Sequence, residues 1–523
     1  MNTMAATTIP EAEAHLRALL REDPANTHAI HDLGILAHRD NRPTEALHLL
    51  RQALALDPDN LALLKSTAQI TRETGDPARA AELFHRALDL DPADPLVWNA
   101  AGVCLQESYR PAQAMEAYLR ALTLTADLPD VLHNIGNLLA AENDFPSAID
   151  YFEQAIALRP DYLTAHTNLG VAYRQQLDYP RSIAHFRRAH ELDPTSADIA
   201  MGYGEILSLV YDPHSEEMLR RAVALNPSRA EAHWNLALDL LKRGRYEEGF
   251  REYEWRFQRN NGHNTPRPFT QSQWLGDTDI STQTLLVHAE QGFGDTLQML
   301  RYLPLLRERT PHLILEVQPE LHRLVAIQPG ITIVARGDAL PPFDNHIATI
   351  SLPHAFRTTL HTVPPPLQLL RTPRPQRPSN PRRVGLAWSG NPHHDRDRER
   401  SIPIHLFAPL FDIPNTTWIS LQPTSNPPLI QNPLHDFLDT AELLNTLDLV
   451  ITIDSAVAHL ALSQHIPTIL LLPYAADWRW LQPSATTPNP WYPEARILRQ
   501  PSPTTGWQPM LDRLRTLIET AHT

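Results

Sequence analysis

Disulfide chemistry is closed to this chain, because its 523 residues include a single cysteine, Cys104. No internal bridge can form, and a cytoplasmic setting fits best. Also missing is any run of the ~18 apolar residues that a transmembrane helix needs. The opening "MNTMAATTIPEAEAHLRALL" carries acidic residues and no continuous apolar core, so no signal peptide is expected. A basic excess is absent too. Lys and Arg number 45 against 60 Asp and Glu, for a net charge of −15. This argues against a general nucleic-acid-binding surface and leaves room only for local basic patches. Neither Gly-x-x-x-x-Gly-Lys-Ser/Thr nor a full Gly-x-Gly-x-x-Gly is present, so kinase-type and dinucleotide-binding readings fail on residue types.

The length exceeds what one core usually serves, so two or three domains are expected. The first half repeats itself. Pro24, Pro58, Pro92, Pro160 and Pro194 keep a 34-residue spacing, with Ala126 in the vacant slot and Pro227 one residue early. Five residues before each slot stands an alanine: Ala53, Ala87, Ala121, Ala155, Ala189 and Ala222. Small residues recur at Gly34, Ala68, Gly102, Gly136 and Gly170, and aromatics at Phe84, Tyr118, Phe152 and Phe186. This helix–turn–helix period resembles the tetratricopeptide repeat over about residues 10–257, in some six to seven copies. Each unit would bury its apolar stripe against its neighbours, giving a superhelix whose concave face takes up a protein or peptide partner. Asn134, Asn168 and Asn235 share one register on three first helices, with Ala100 and Gly202 interrupting the series. Two readings stand: a peptide-binding ladder, or an asparagine common in ordinary repeats.

Residues 258–282 read as a polar, proline-bearing connector. Beyond it "QTLLVHAE", "HLILEVQ" and "ITIVAR" alternate with helical stretches over 283–361. A proline-dense linker follows at 362–383, and "RVGLAWSGN", "TWISLQ", "DLVITIDSAVAHLAL" and "TILLLP" over 384–523. Continuous apolar strands between helices imply parallel sheets covered on both faces, with ligands bound at the carboxyl ends of their strands. The expected architecture is a helical repeat followed by two Rossmann-like α/β domains, the second closed by a final helix.

Three motifs carry chemistry. In "VITIDSAVAHLAL" a strand ends at Asp454 and a helix begins near Ala456, whose free N–H groups suit a diphosphate. Ser455 can add a hydroxyl donor, and His459 lies one turn on. Alternatively Asp454 or Ser455 caps the helix and His459 is an interior histidine. In "AWSGNPHHDRDRERSIP" Ser389, Gly390 and Asn391 form a small turn ahead of Arg396, Arg398 and Arg400, side chains that grip phosphate oxygens. A solvated charged loop is the plainer reading. His393 and His394 lack ligand spacing, and no metal site is expected. In "HAEQGFGDTLQ" the glycine turn of Gly292 and Gly294 places Asp295 at a helix start, as an N-cap or as a general base for an acceptor hydroxyl. Trp478, Arg479, Trp480, Trp491 and Tyr492 could stack on a base or sugar, or pack between the sheet and the last helix.

Together "GFGD" before a helix, "DSAVAHLA" after a strand and the basic residue of "RSIP" resemble heptosyltransferase-type glycosyltransferases of the GT-B fold. "YEWRF", "EQGFGDTLQMLRY", "DWRW" and "WYP" look typical of the bacterial group that carries tetratricopeptide repeats, a layout similar to O-linked N-acetylglucosamine transferases. The resemblance, over about 245–510, implies a metal-independent inverting transferase using a nucleotide-diphosphate sugar, with no further cofactor. It implies Asp295 as catalytic base, and Asp454, Ser455, His459, Ser389, Gly390, Asn391 and Arg400 at the donor. Arg400 replaces the family's lysine and precedes Ser-Ile-Pro rather than Trp-Pro, which leaves the sugar open. The rival expectation is an inactive scaffold that binds partners through its repeats.

Overall fold

The computed structural model describes residues 9–259, 266–326, 328–370, 381–393, 396–422, 428–483 and 488–520. His394 and parts of the connector and of the proline-dense linker lie outside them. The chain divides into two compact units, Met1–Gln176 with Pro180–Asp193, and Leu177–Tyr179 with Pro194–Thr523.

The helical half consists of α1 (Ile9–Glu22), α2 (Thr27–Arg39), α3 (Pro43–Leu56), α4 (Leu61–Glu73), α5 (Pro77–Leu90), α6 (Pro95–Glu107), α7 (Pro111–Leu124), α8 (Pro129–Ala141), α9 (Phe145–Leu158), α10 (Leu163–Gln175), α11 (Tyr179–Leu192), α12 (Ala197–Leu209), α13 (Ser215–Leu225), α14 (Ala230–Lys242) and α15 (Tyr246–Tyr253). Helices α1–α10 belong to the first unit and α12–α15 to the second. Side chains of Asn26, Asn60, Asp76, Asp94, Asp144 and Ser196 accept backbone N–H groups at helix starts. The period-34 prolines stand two residues beyond the ends of α1, α3, α5, α9, α11 and α13, where a helix cannot resume. The six period-34 alanines are fully buried.

Two further constraints repeat with the period. The small residue of each first helix leaves room for a side chain sixteen residues on. A Cβ at Gly102 would meet the Tyr118 ring at 2.5 Å, one at Gly136 the Phe152 ring at 2.5 Å, and one at Gly170 the Phe186 ring at 2.7 Å. The turn between paired helices takes a left-handed residue at Asn41, Gly75, Tyr109, Asn143, Leu177 and Tyr211 (φ 58, 92, 58, 63, 60 and 60°). That conformation costs a non-glycine residue about 1–2 kcal/mol.

In the second unit two five-stranded sheets follow the repeats. The first contains β1 (Ser272–Gln273), β2 (Thr284–His288), β3 (His312–Val317), β4 (Thr332–Ala335) and β5 (Asn345–Ala348), ordered β1-β5-β2-β3-β4. The second contains β6 (Arg382–Ala387), β7 (Thr416–Ser420), β8 (Leu449–Ile453), β9 (Thr468–Leu472) and β10 (Arg496–Arg499), ordered β10-β9-β8-β6-β7. Every ladder is parallel. Connecting helices are α16 (Phe293–Met299), α17 (Leu303–Arg309), α18 (Pro319–Val325) and α19 (Leu352–Ala355) around the first sheet. Around the second are α20 (Asp397–Arg400), α21 (Ala408–Phe411), α22 (Phe437–Leu444), α23 (Ala456–Ser463) and the final α24 (Gln508–Thr520). All five residues of β8 and of β9 are buried, as a sheet covered on both faces requires. Among the described residues no helix is long and apolar enough to cross a membrane.

The tryptophans near the C-terminus pack elsewhere than against the last helix. Trp478 and Trp491 are buried against Tyr246 and Phe250 of α15, and Trp491 Nε1 donates to Tyr246 Oη at 2.8 Å. Helix α24 instead buries Met510, Leu511, Leu514 and Ile518 in a core with Val384, Leu386 and Ile451.

Replacing Gly136 by alanine is expected to overpack the Phe152 ring and destabilise by about 1–3 kcal/mol in denaturant melts. Replacing Tyr109, which is 94% exposed, by glycine should stabilise by up to about 1 kcal/mol, by relieving the left-handed turn against glycine's extra chain entropy. A Tyr109→Gly chain less stable than the parent would contradict this account of the turn.

Candidate functional site

The connections that leave the carboxyl ends of β2, β6, β8 and β9 converge. After β2, Glu290 is buried and clasped by the fully buried Arg256, at 2.9 Å from Nη2 and 3.2 Å from Nε. Arg256 Nη2 also donates to Ser351 Oγ at 2.7 Å. This fixes the turn that follows. Gly292 is the N-cap of α16, and Asp295 stands at its third position, not at the cap itself: Asp295 Oδ2 accepts the Gly292 N–H at 2.9 Å. Its Oδ1 accepts from Arg479 Nη2, in the connection after β9. The glycine at 294 answers to packing. A Cβ there would stand 2.8 Å from Cδ2 of His459 and 3.5 Å from Cα of Ala456, so α16 lies directly on the start of α23.

Arg479 is the hub. Its Nε donates to Gln298 Oε1 at 2.6 Å, its Nη1 to Asp477 Oδ1 at 2.8 Å, and Asn489 Nδ2 holds its carbonyl at 2.6 Å. The Asp477 side chain is 36% exposed. Burial pulls its carboxyl upward, but the charge and hydrogen bonds of Arg479 outweigh this and hold it below the usual range. Asp454 moves the other way. Desolvation and the neighbouring Asp477 push it up to about 6, against the pull of Arg479 and Arg400.

Arg400 ties the loop after β6 to the end of β8. Its Nη1 donates to the Asp454 carbonyl at 3.1 Å and its Nε to Asp397 Oδ1 at 3.1 Å. A Cβ at Gly390 would collide with this pair, 2.4 Å from Asp397 Oδ1 and 2.7 Å from Arg400 Nη2. Gly390 N donates to Ser401 Oγ at 3.0 Å, and Ser389 is held by Gln422 through backbone and hydroxyl. Ser455 is the N-cap of α23, its hydroxyl 3.1 Å from that of Thr452. His459 is buried, bonded through Nδ1 to Tyr492 Oη at 3.0 Å and stacked on Trp480. Burial, with Arg479 and Arg301 nearby, pushes it down to about 3, so the imidazole is neutral.

Asp295, Gly292, Gly294, Ser389, Gly390, Arg400, Asp454, Ser455 and His459 therefore share one neighbourhood. Asn391 turns away into a local bond with the His393 N–H at 3.0 Å. The asparagines of the repeats are engaged with one another: Asn134 Nδ2 donates to Asn99 Oδ1 at 3.0 Å and Asn168 Nδ2 to Asn137 Oδ1 at 2.6 Å. Asn235 is half-buried on α14. Sequence reasoning named Arg479 only as a residue that stacks on a base or sugar or packs on the last helix, not as the ion-pair partner of Asp295, and missed Asp477 and Gln298 as site residues. The signal was an Asp-x-Arg embedded in the apolar run after β9, masked by its tryptophans. Tyr253 of α15, buried beside Asp295 and Arg479, was missed as well. Among the described residues no group of three or more His, Cys, Asp and Glu side chains is placed to hold a metal ion.

The chain carries tetratricopeptide repeats, the repeat model matching residues 4–60, 67–129, 133–197 and 215–261. No characterised protein matches it in sequence. Among solved structures it is similar to the Cut9–Hcn1 hetero-tetramer of the APC/C (18% identity, 45% of this chain and 46% of that one, TM-score 0.39). It is also similar to YrrB, described as a TPR protein with an unusual peptide-binding site (19%, 35% and 95%, TM-score 0.30). A third is yeast Tom70 (18%, 47% and 54%, TM-score 0.34). The chain spans about half the length of the Cut9–Hcn1 and Tom70 chains it matches.

The raised Asp454 carboxyl has a consequence for stability. Between its unfolded value, near 3.8, and about 6, the folded chain binds a proton that the unfolded chain releases, so this group's contribution is lost as pH rises. Asp454→Asn removes the effect. The melting temperature of the variant minus that of the parent should be more positive at pH 7.5 than at pH 4.5; a difference independent of pH would count against the assignment.

Proposed function

We propose that the chain is a metal-independent inverting glycosyltransferase that uses a nucleotide-diphosphate sugar, with its repeats recruiting a protein acceptor or partner. One observation carries this reading: Asp295, at the start of the helix after β2, directly follows Gly294, which packs against Ala456 in the first turn of α23, and Arg400 donates to the Asp454 carbonyl just ahead of that turn. Two parallel α/β sheets meeting at the carboxyl ends of strands support a GT-B-type arrangement, in which ligands enter between those ends. The resemblance of "GFGD" and "DSAVAHLA" to heptosyltransferase-type enzymes points the same way.

The chemistry then follows from charge. Asp295 takes the proton of an acceptor hydroxyl as its oxygen attacks the anomeric carbon from the face opposite the leaving group. The bond from that carbon to the nucleoside diphosphate breaks. Negative charge growing on the departing diphosphate is met by the N–H groups opening α23 and by Arg400. Ser389 and Gly390 border this donor end, whereas Asn391 is engaged with the His393 N–H. Neutral His459 supplies no charge and holds α23 against α16. Peptide or protein recruitment belongs to the repeats, with Asn134, Asn168 and Asn235 as candidates for backbone contacts.

Asp295→Asn should slow release of nucleoside diphosphate from the sugar donor by on the order of 10²–10⁴-fold while sparing nucleotide binding. The check is turnover of a panel of nucleotide sugars by parent and variant. Equal turnover by both would sink Asp295 as the base.

A further inference from the structure

A diphosphate received by the first turn of α23 would arrive beside a carboxylate. Asp295 follows Gly294, and Gly294 packs on Ala456, the first residue of that helix. Two anions brought into one partly desolvated neighbourhood repel. Arg479 is placed to resolve the conflict. Its guanidinium joins Asp295 Oδ1 on one side to Asp477 Oδ1 (2.8 Å) on the other, and Gln298 Oε1 (2.6 Å) occupies its Nε. The side chain is only 9% exposed and lies over the Trp478 ring at 4.3 Å. It is therefore rigid, and it cannot leave without exposing Asp295 as an unpaired charge.

We propose that Arg479 is the counter-cation that allows Asp295 and the donor diphosphate to occupy one cleft: a positioning residue whose charge offsets the carboxylate as the second anion enters. This rests on the glycosyltransferase reading above. The groups facing the Asp295–Arg479 pair are accounted for on each side. Tyr253 approaches from α15, Asp454 from the end of β8, Asp477 from the connection itself, and neutral His459 with Tyr492 from the α23 side. Arg400 stands beyond Asp454. Of these, Arg479 alone is ion-paired with the Asp295 carboxylate.

The role differs from that of a direct phosphate ligand in one measurable way. If Arg479 acts by cancelling Asp295, removing Asp295 should make Arg479 dispensable. The test is calorimetric binding of inorganic pyrophosphate to the full chain and to Arg479→Gln, Asp295→Asn and the double variant. Arg479→Gln is expected to weaken binding about tenfold or more, Asp295→Asn to leave it equal or tighter, and the double variant to return to within about threefold of the parent. A double variant as weak as Arg479→Gln, or an Arg479→Gln chain that binds like the parent, would overturn the proposal. Should Arg479→Gln fail to fold, the double variant, which leaves neither the guanidinium nor the Asp295 carboxylate unpaired, keeps the test: it is expected to bind within about threefold of the parent, and a folded double variant more than about tenfold weaker overturns the proposal. If the parent itself does not bind pyrophosphate, the donor-site reading falls and this inference with it. Binding by the parent without coupling between the two sites removes the role of Arg479 alone.

Discussion

A guanidinium withdrawn from water must be met by anions and acceptors, because an unpaired buried charge costs several kcal/mol. Arg479 satisfies that requirement with Asp295 and Gln298 of α16 and with Asp477 of its own connection. Three partners from two chain segments fix where the connection after β9 meets the helix after β2. Around that pairing close packing and further hydrogen bonds complete the neighbourhood. Gly294 leaves room for the His459 ring, Tyr492 and Trp480 box the ring in, and Arg301 reaches behind to the Trp491 carbonyl at 2.9 Å. Loosen the ion pair and the carboxylate, the start of α23 and Asp477 lose their common reference point.

The last repeat helices are part of the same compact unit as the sheets, and they contribute to the site's surroundings. Tyr211, forced into the left-handed turn of its repeat, donates its hydroxyl to the Tyr474 carbonyl at 2.9 Å and accepts from Arg499 Nη1 at 2.7 Å. Lys242, at the end of α14, is buried and pushed down to about 8 by desolvation and by Arg396. The Gln482 N–H donates to its carbonyl at 3.1 Å. The repeats thus end in residues that hold the connection bearing Asp477 and Arg479.

Much of this was legible in the sequence where periodicity or strand–turn–helix punctuation governs. The period-34 prolines and alanines, the small residues opposed to aromatics, and the apolar runs of β8 and β9 all follow from local rules of capping, close approach and burial. The neighbourhood of Asp295, Asp454 and Arg400 was legible because each residue follows a strand, and strand ends gather in parallel sheets. What escaped was pairwise. Nothing local in "GFGD" reveals that Asp295 meets an arginine 184 residues on, and nothing in "DWRW" separates a tryptophan packed on α15 from one packed on α24. Asn99 stands one position out of the asparagine register, yet it is the partner of Asn134. Long-range ion pairs and helix-face contacts depend on tertiary geometry, which residue spacing does not encode.

The central claim is that the first turn of α23, with Asp454 and Arg400 about it, receives a nucleoside diphosphate. The most direct test is thermal stability of the full chain against a panel of nucleoside diphosphates, alongside Arg400→Gln. The account predicts a shift with one nucleotide, worth about 2.7 kcal/mol at 100 times its dissociation constant, and lost or much reduced in the variant. A shift with none of them, or one that survives unchanged in Arg400→Gln, would contradict it.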